Sequence, residues 1–362
     1  MVAWPDGALT TLGKTLSCIL QGNNGVFPVI LTELSWRRPL LEEGIVPFLY
    51  QAFVEGRLTL PPTFQIFAKD AARHAVAVAS LRQETMGQLQ NVAKQQNLSL
   101  VVFKGAVYAH TCYEHPFLRP SNDIDLFLPF EQVPPFLSAL RPLGFYPDGP
   151  FPPPAFKNQI ILRKAQKGRD LLLDLHWHLS ERTQDQASFT FANLEPNCVP
   201  FAPFPALLTF SPSFALFWAA KHMVDHHPNE RRLLWYLDLA LMLKQQTTEQ
   251  KEQVARWLNR FPEAASPLVE GHQWLGFEWP PGWPDLTTQA RRDTTTRQLH
   301  RVQQELSRLK GLNEKGRWLH QRLFPGVPYL KQRFRFQSPW LVPLFWLWRL
   351  ARGMAFLFKK TG

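Results

Sequence analysis

Cysteine is scarce in this chain. Cys18, Cys112 and Cys198 are the three in 362 residues, far apart and odd in number, which excludes a disulfide framework or a CxxC metal or redox centre and leaves them to be read as buried thiols in a reducing compartment. An uninterrupted apolar run of about 18 residues, the length a membrane-spanning helix needs, is also missing. The opening stretch MVAWPDGALTTLGKTLSCILQ has no basic leader ahead of an apolar core, so the chain reads as cytoplasmic. No internal repeat is found, which excludes a solenoid or propeller. Acidic residues nearly vanish from residues 291–362, where Asp293, Glu305 and Glu314 face sixteen lysines and arginines. The first 290 residues hold 24 basic and 26 acidic side chains, so the net charge of +11 belongs to the C-terminal part.

What is present is enough apolar material, 45% of residues, to bury a large core or two smaller ones. From Leu31 to Gln96 the spacing predicts helices: Ile45, Leu49 and Phe53 share a stripe, and a long helical stretch follows the breaker LPPT. The period then changes. LSLVVF, Leu98 to Phe103, reads as a buried strand ending at Lys104-Gly105, and a helix can begin at Ala106. DIDLFLP is a second strand candidate, Glu131 to Leu140 a helix, and NQIILRK and DLLLDLHWHL two more strands joined through QKGR. Past Cys198 a proline-spaced linker, PFAPFPALL, leads back into helices. The expected organisation is a helical cap over 1–96, a mixed α/β sheet over 97–200, a helical region over 201–290 and a basic helical region over 291–362.

Chemistry concentrates on three aspartates. Alternate side chains of a strand share a face, so Asp123 and Asp125 point one way and Ile124 and Leu126 the other. Paired carboxylates make a clamp for a hard divalent cation, and a site with so few protein oxygens suits magnesium, which takes its other ligands from water and phosphate. Asp174 interrupts the apolar strand LLLDLH and is costly to bury without a cation or hydrogen bonds. His176 and His178 share its face by period.

Taken together, FKGAVYAH, FLRPSNDIDLFL and LLLDLHW resemble the DNA polymerase beta-like nucleotidyltransferase superfamily, and within it an uncharacterised bacterial nucleotidyltransferase group with a Lys-Gly pair, an Arg before Asp-Ile-Asp, and an Asp-Leu-His strand. The likeness covers roughly residues 30 to 250. It implies an α+β fold, a minimal nucleotidyltransferase mixed β-sheet flanked by N- and C-terminal helical regions. It also implies that Asp123, Asp125 and Asp174 hold Mg2+, as two ions, for transfer of a nucleotidyl group from an NTP such as ATP to an acceptor. Gly105 would open a phosphate-binding turn at a helix N-terminus. The superfamily usually has Gly-Gly or Gly-Ser where this chain has Gly105-Ala106, so Lys104, Arg119 or Ser121 is expected to contact the triphosphate instead. The acceptor stays open among small molecules, peptides, proteins and RNA.

Lys221, His222 and Asp238 fall in helices that resemble the family's helical half, where they would line the nucleotide or acceptor cleft. Packing contacts between those helices are the other reading. His222 and His226 stand four apart, but a zinc-protease spacing needs Glu after the first His and Met223 stands there. The stretch WLVPLFWLWRLARGMAFLFKK interleaves Trp and Phe with Arg and Lys, and residues 291–362 suit a docked helix, nucleic-acid contact or peripheral contact with an anionic membrane. The alternative function is a Mg-nucleotide-binding regulatory or antitoxin-like protein without turnover.

Overall fold

The computed structural model describes residues 8–28, 31, 33–121, 123–148, 158–166, 169–180, 185, 187–228, 230–283 and 343–347. The chain forms two compact units, Met1–Arg292 and Asp293–Gly362. In the second, residues 343–347 are helical with Leu344 and Leu347 exposed; the remainder of the basic region lies outside the described residues. Among the described residues no helix is long and apolar enough to cross a membrane.

The first unit begins with helices α1 (Ala8–Leu20), α2 (Leu34–Glu43), α3 (Val46–Val54) and α4 (Pro62–Gln95). Strands β1 (Gly25–Val26) and β2 (Leu58–Thr59) pair in parallel among them. Gly44 separates α2 from α3 at φ 76°, and a Cβ there would stand 2.8 Å from Leu234 Cδ2, so both conformation and space require glycine. Ile45 and Leu49 are buried as their stripe predicts. Pro61 and Pro62 start α4, whose 34 residues make it about 51 Å long.

Seven strands form the sheet that carries the site: β3 (Val101–Phe103), β4 (Asp123–Phe127), β5 (Tyr146–Pro147), β6 (Gln159–Gln166), β7 (Arg169–His176), β8 (Cys198–Pro200) and β9 (Leu208–Phe210), in the order β5-β6-β7-β4-β3-β9-β8. The sheet is mixed, with β4 parallel to β7 and antiparallel to β3. Helices α5 (Gly105–Thr111), α6 (Val133–Leu140) and α7 (Phe191–Leu194) intervene. The α+β expectation holds. Three strands of the sheet were not expected: β5 lies at one edge, and β8 and β9 flank the proline-spaced segment expected to be a linker, with β8 at the other edge, where Pro200 can lack an N–H without breaking a central ladder. The thiols also differ. Cys18, Cys112 and Cys198 are free but half-buried, and burial still pushes Cys112 and Cys198 up to about 12.

Helices α8 (Pro212–His226), α9 (Leu233–Lys244), α10 (Thr248–Arg260) and α11 (Ala265–Leu275) complete the unit. Phe189, Phe214, Phe217, Trp218, Trp257 and Phe261 form a continuous aromatic cluster between α8 and α10. α9 is apolar nearly all round, with Leu233, Leu234, Leu237, Leu239 and Leu243 buried, and Asp238 lies in its middle at 2% exposure. Arg119 reaches it from the segment before β4: Nη2 lies 2.8 Å from Asp238 Oδ2, Nε donates at 3.3 Å, and Tyr113 Oη donates to Oδ1 at 2.8 Å. This ion pair joins the sheet to the helical half.

Removing one partner of a buried pair strands the other charge. Asp238→Ala is therefore expected to destabilise the protein by about 3–5 kcal/mol, measured as a fall in urea midpoint, whereas Arg119→Met/Asp238→Leu, which leaves no orphaned charge, recovers most of the loss.

Candidate nucleotide and metal site

Residues Phe103 and Gly105 end β3 and begin α5, so the chain turns from strand to helix in the single residue Lys104. Its φ of 56° is in the left-handed region, which costs a non-glycine residue about 1–3 kcal/mol and persists where surrounding contacts over-determine it. Those contacts are present: Lys104 Nζ donates to Asp125 Oδ1 at 2.6 Å and lies 5.1 Å from the centre of the Phe103 ring.

Parallel pairing of β4 with β7 places Asp125 directly opposite Asp174. Leu171, Leu173 and Leu175 are buried on the core side of β7, so Asp174 and His176 take the other face, as the period predicts. His176 Nε2 lies 3.4 Å from Asp125 Oδ1 and 3.3 Å from Asp174 Oδ2, aligned in a hydrogen bond with neither. Gln159 Nε2 on β6 reaches Asp174 Oδ2 at 3.4 Å, and Ser121 Oγ donates to Asp123 Oδ1 at 2.9 Å.

Electrostatics follow from crowding three acids. Burial would raise Asp125, but the Lys104 ammonium and His176 outweigh it and hold that carboxyl well below its ordinary range. Asp123 moves the other way: burial and the neighbouring Asp125 charge raise it against the Ser121 hydrogen bond. Burial opposes charge on His176, yet Asp174 and Asp125 carry its imidazole above the usual value.

The donor set fits a divalent cation. Asp174 Oδ1 is buried and accepts no hydrogen bond, a costly state that a metal ion relieves. Ligand atoms of Asp125, Asp174 and His176 all lie within 4.8 Å of one another; among the described residues this is the group so arranged, and Asp123 is not in it. Sequence reasoning expected three aspartates, whereas the tight cluster has His176 as its third member.

The remaining expected residues divide. Gly105 adjoins Arg119 and Ser121: a Cβ on it would stand 2.0 Å from Arg119 Nη1 and 3.0 Å from Ser121 Oγ, so a close approach requires this glycine. Arg119 and Asp238 are each other's partners. Lys221 is fully buried and bonds Asp185 and Asp225 at 2.7 Å each, with Glu263 at 3.2 Å, none of them a candidate metal ligand. His222 stacks on His226 at 4.6 Å, and burial followed by the Lys104 charge lowers it well below an ordinary imidazole. His178 lies two residues beyond the end of β7 and is half-buried. Sequence reasoning missed Gln159 and Arg82. An arginine on the inward stripe of α4, between Ala75 and Met86, is the signal that could have found the second.

Strand pairing, a carboxylate pair and a strand-to-helix turn meet at this site. The family described as uncharacterised nucleotidyltransferase matches residues 40–261, more than half of the chain, and the chain belongs to it. No curated protein matches. Among solved structures, the chain is similar to the antibiotic-resistance factor ANT(2'')-Ia in solution, at 15% identity and TM-score 0.37 over 53% of this chain and 97% of that one. It is likewise similar to crystalline ANT(2'')-Ia in complex with adenylyl-2''-tobramycin, at 15% and 0.37 over 50% and 99%. An antigenic nucleotidyltransferase-like protein from Paracoccidioides brasiliensis gives 15% and 0.33 over 51% and 91%. Similarity at that level says nothing of substrate.

Gly105→Ala should cost about 1–3 kcal/mol, because Asp238 holds the arginine that the new methyl group meets. In an Arg119→Ala background the same change should cost little, and a double-mutant cycle on urea midpoints measures the difference.

Proposed function

We propose that the chain is a magnesium-dependent enzyme that moves a nucleotidyl group from an NTP, such as ATP, to an acceptor, within the bacterial group of the DNA polymerase beta-like superfamily that its motifs resemble. The observation carrying this reading is the register of Asp125 against Asp174, with Asp174 Oδ1 buried and unbonded. Asp125 and Asp174, with Asp123 two residues before Asp125 on β4, would hold Mg2+, two ions in the full arrangement. Bound magnesium supplies the charge that neutralises the triphosphate.

The chain's own groups position and screen. Lys104 Nζ is the cation nearest the carboxylates and suits a phosphate oxygen. Ser121 holds Asp123 in place, and the glycine at 105 leaves room at the turn. An acceptor oxygen attacks the α-phosphorus, the bond to the bridging oxygen breaks and pyrophosphate departs with its electron pair. Asp174 is the assigned proton acceptor. His178, His222 and the helical half beyond them are assigned to the acceptor side, whether the acceptor is a small molecule, peptide, protein or RNA. Residues 291–362 are assigned polyanion contact, with the protein cytoplasmic or peripheral at a membrane.

Transfer of α-phosphate label from each NTP, with cell lysate as acceptor, tests the reading. Wild type should label a product, and Asp125→Asn should lose more than the roughly 10- to 100-fold that removing an outer partner of a metal site costs. Binding of Mg-NTP without label transfer would favour the regulatory alternative. Absence of both binding and transfer would refute the site assignment.

A further inference from the structure

Arg82 stands past the middle of α4 on the stripe that also buries Ala75, Met86, Leu89 and Ala93, and it is 6% exposed. Its Nη2 donates to the carbonyl oxygen of Arg119 at 3.3 Å. Its Nε and Nη1 are buried and have no hydrogen-bond partner. Burial pushes the guanidinium down to about 10, the adjacent Arg119 charge adds to this and Asp123 opposes it, so Arg82 is still a cation at neutral pH. A buried cation with free donors is unfavourable until an anion completes it.

The other cations at this corner have partners: Lys104 has Asp125, and Arg119 has Asp238. Arg82 also grips the segment that carries the site, because the carbonyl it holds belongs to Arg119. From there the chain runs on to Ser121 and Asp123, and Arg119 Nη1 and Ser121 Oγ lie against Gly105. A guanidinium with two unbonded nitrogens is therefore held against the segment that leads to the carboxylates, with Asp123 the acid that acts on its charge. A planar guanidinium suits phosphate oxygens better than an ammonium does.

We propose that Arg82 is a phosphate ligand of this site, donating through Nε–H and Nη1–H to the polyphosphate tail of the nucleoside triphosphate. The identity of the ligand rests on the nucleotidyltransferase reading; the anion site itself rests on the buried, unsatisfied guanidinium. Binding of the tail converts an unpaired charge into a paired one and fixes the 119–123 segment that carries Asp123.

The test uses the full chain with Arg82→Met and Arg82→Lys, and two probes, Mg-ATP and inorganic tripolyphosphate, read by calorimetry and thermal melting. Without ligand, Arg82→Met should melt at or above the wild-type temperature, because it removes an unpaired buried charge. It should lose roughly 10- to 100-fold in affinity for both probes, and with it the rise in melting temperature they produce, while Arg82→Lys falls between. Unchanged affinities in Arg82→Met would overturn the proposal, as would a melting point well below wild type, which marks a structural arginine. Wild type that binds tripolyphosphate in an Arg82-dependent way but not Mg-ATP would uphold the anion site and sink the nucleotide reading. Wild type that binds neither probe would end the proposal.

Discussion

Parallel pairing of β4 with β7 sets Asp125 beside Asp174 in a sheet whose strands are otherwise mostly apolar, and the surrounding chemistry answers that concentration of charge. Two carboxylates in such a place repel each other and lack water. Lys104 and His176 supply the opposing charge, Gln159 and Ser121 supply hydrogen bonds, and one oxygen of Asp174 is left over. Lys104 bonds Asp125 from a backbone at positive φ between strand and helix. The strain at Lys104 and the unsatisfied oxygen at Asp174 are both costs that a purely structural sheet has no reason to carry.

A second layer holds this arrangement against the helical half. Arg119 lies between Gly105 on one side and Asp238 on the other, so the turn after β3, the segment before β4 and helix α9 are locked by one guanidinium. The wider unit repeats the device: Glu43 accepts from the backbone of Leu233 at 2.7 Å, and Lys221 binds three acids beneath the aromatic cluster. Among the described residues, buried charges such as Arg119 with Asp238 and Lys221 with Asp185 are thus paired across elements distant in sequence, whereas Arg82 Nε and Nη1 have no hydrogen-bond partner.

Local pattern made much of this legible. The apolar run before Lys104, the alternation in Asp-Ile-Asp and the lone acid in LLLDLH marked strands β3, β4 and β7 and named the carboxylates, because a strand's period of two fixes which side chains share a face. The same period put His176 with Asp174, although its entry into the tight cluster in place of Asp123 depends on inter-strand register, which no single strand encodes. The β8–β9 pair was hidden by prolines that an edge strand tolerates. Arg119 with Asp238 and Lys221 with Asp185 could not be read from spacing, since each pairing spans many residues and is made by tertiary packing. Lys221 was read either at the cleft, because its helix resembles the family's, or as a packing contact between helices, and its own contacts place it in a buried ion cluster.

Mn2+ binding followed by electron paramagnetic resonance tests whether the Asp125–Asp174 pair holds a metal ion. Wild type and Asp174→Asn would be titrated with Mn2+ beside a non-hydrolysable ATP analogue, with circular dichroism showing both to be folded. Wild type should show nucleotide-dependent Mn2+ binding that weakens at least about tenfold in the variant. Equal Mn2+ binding by the two proteins would contradict metal binding by this pair.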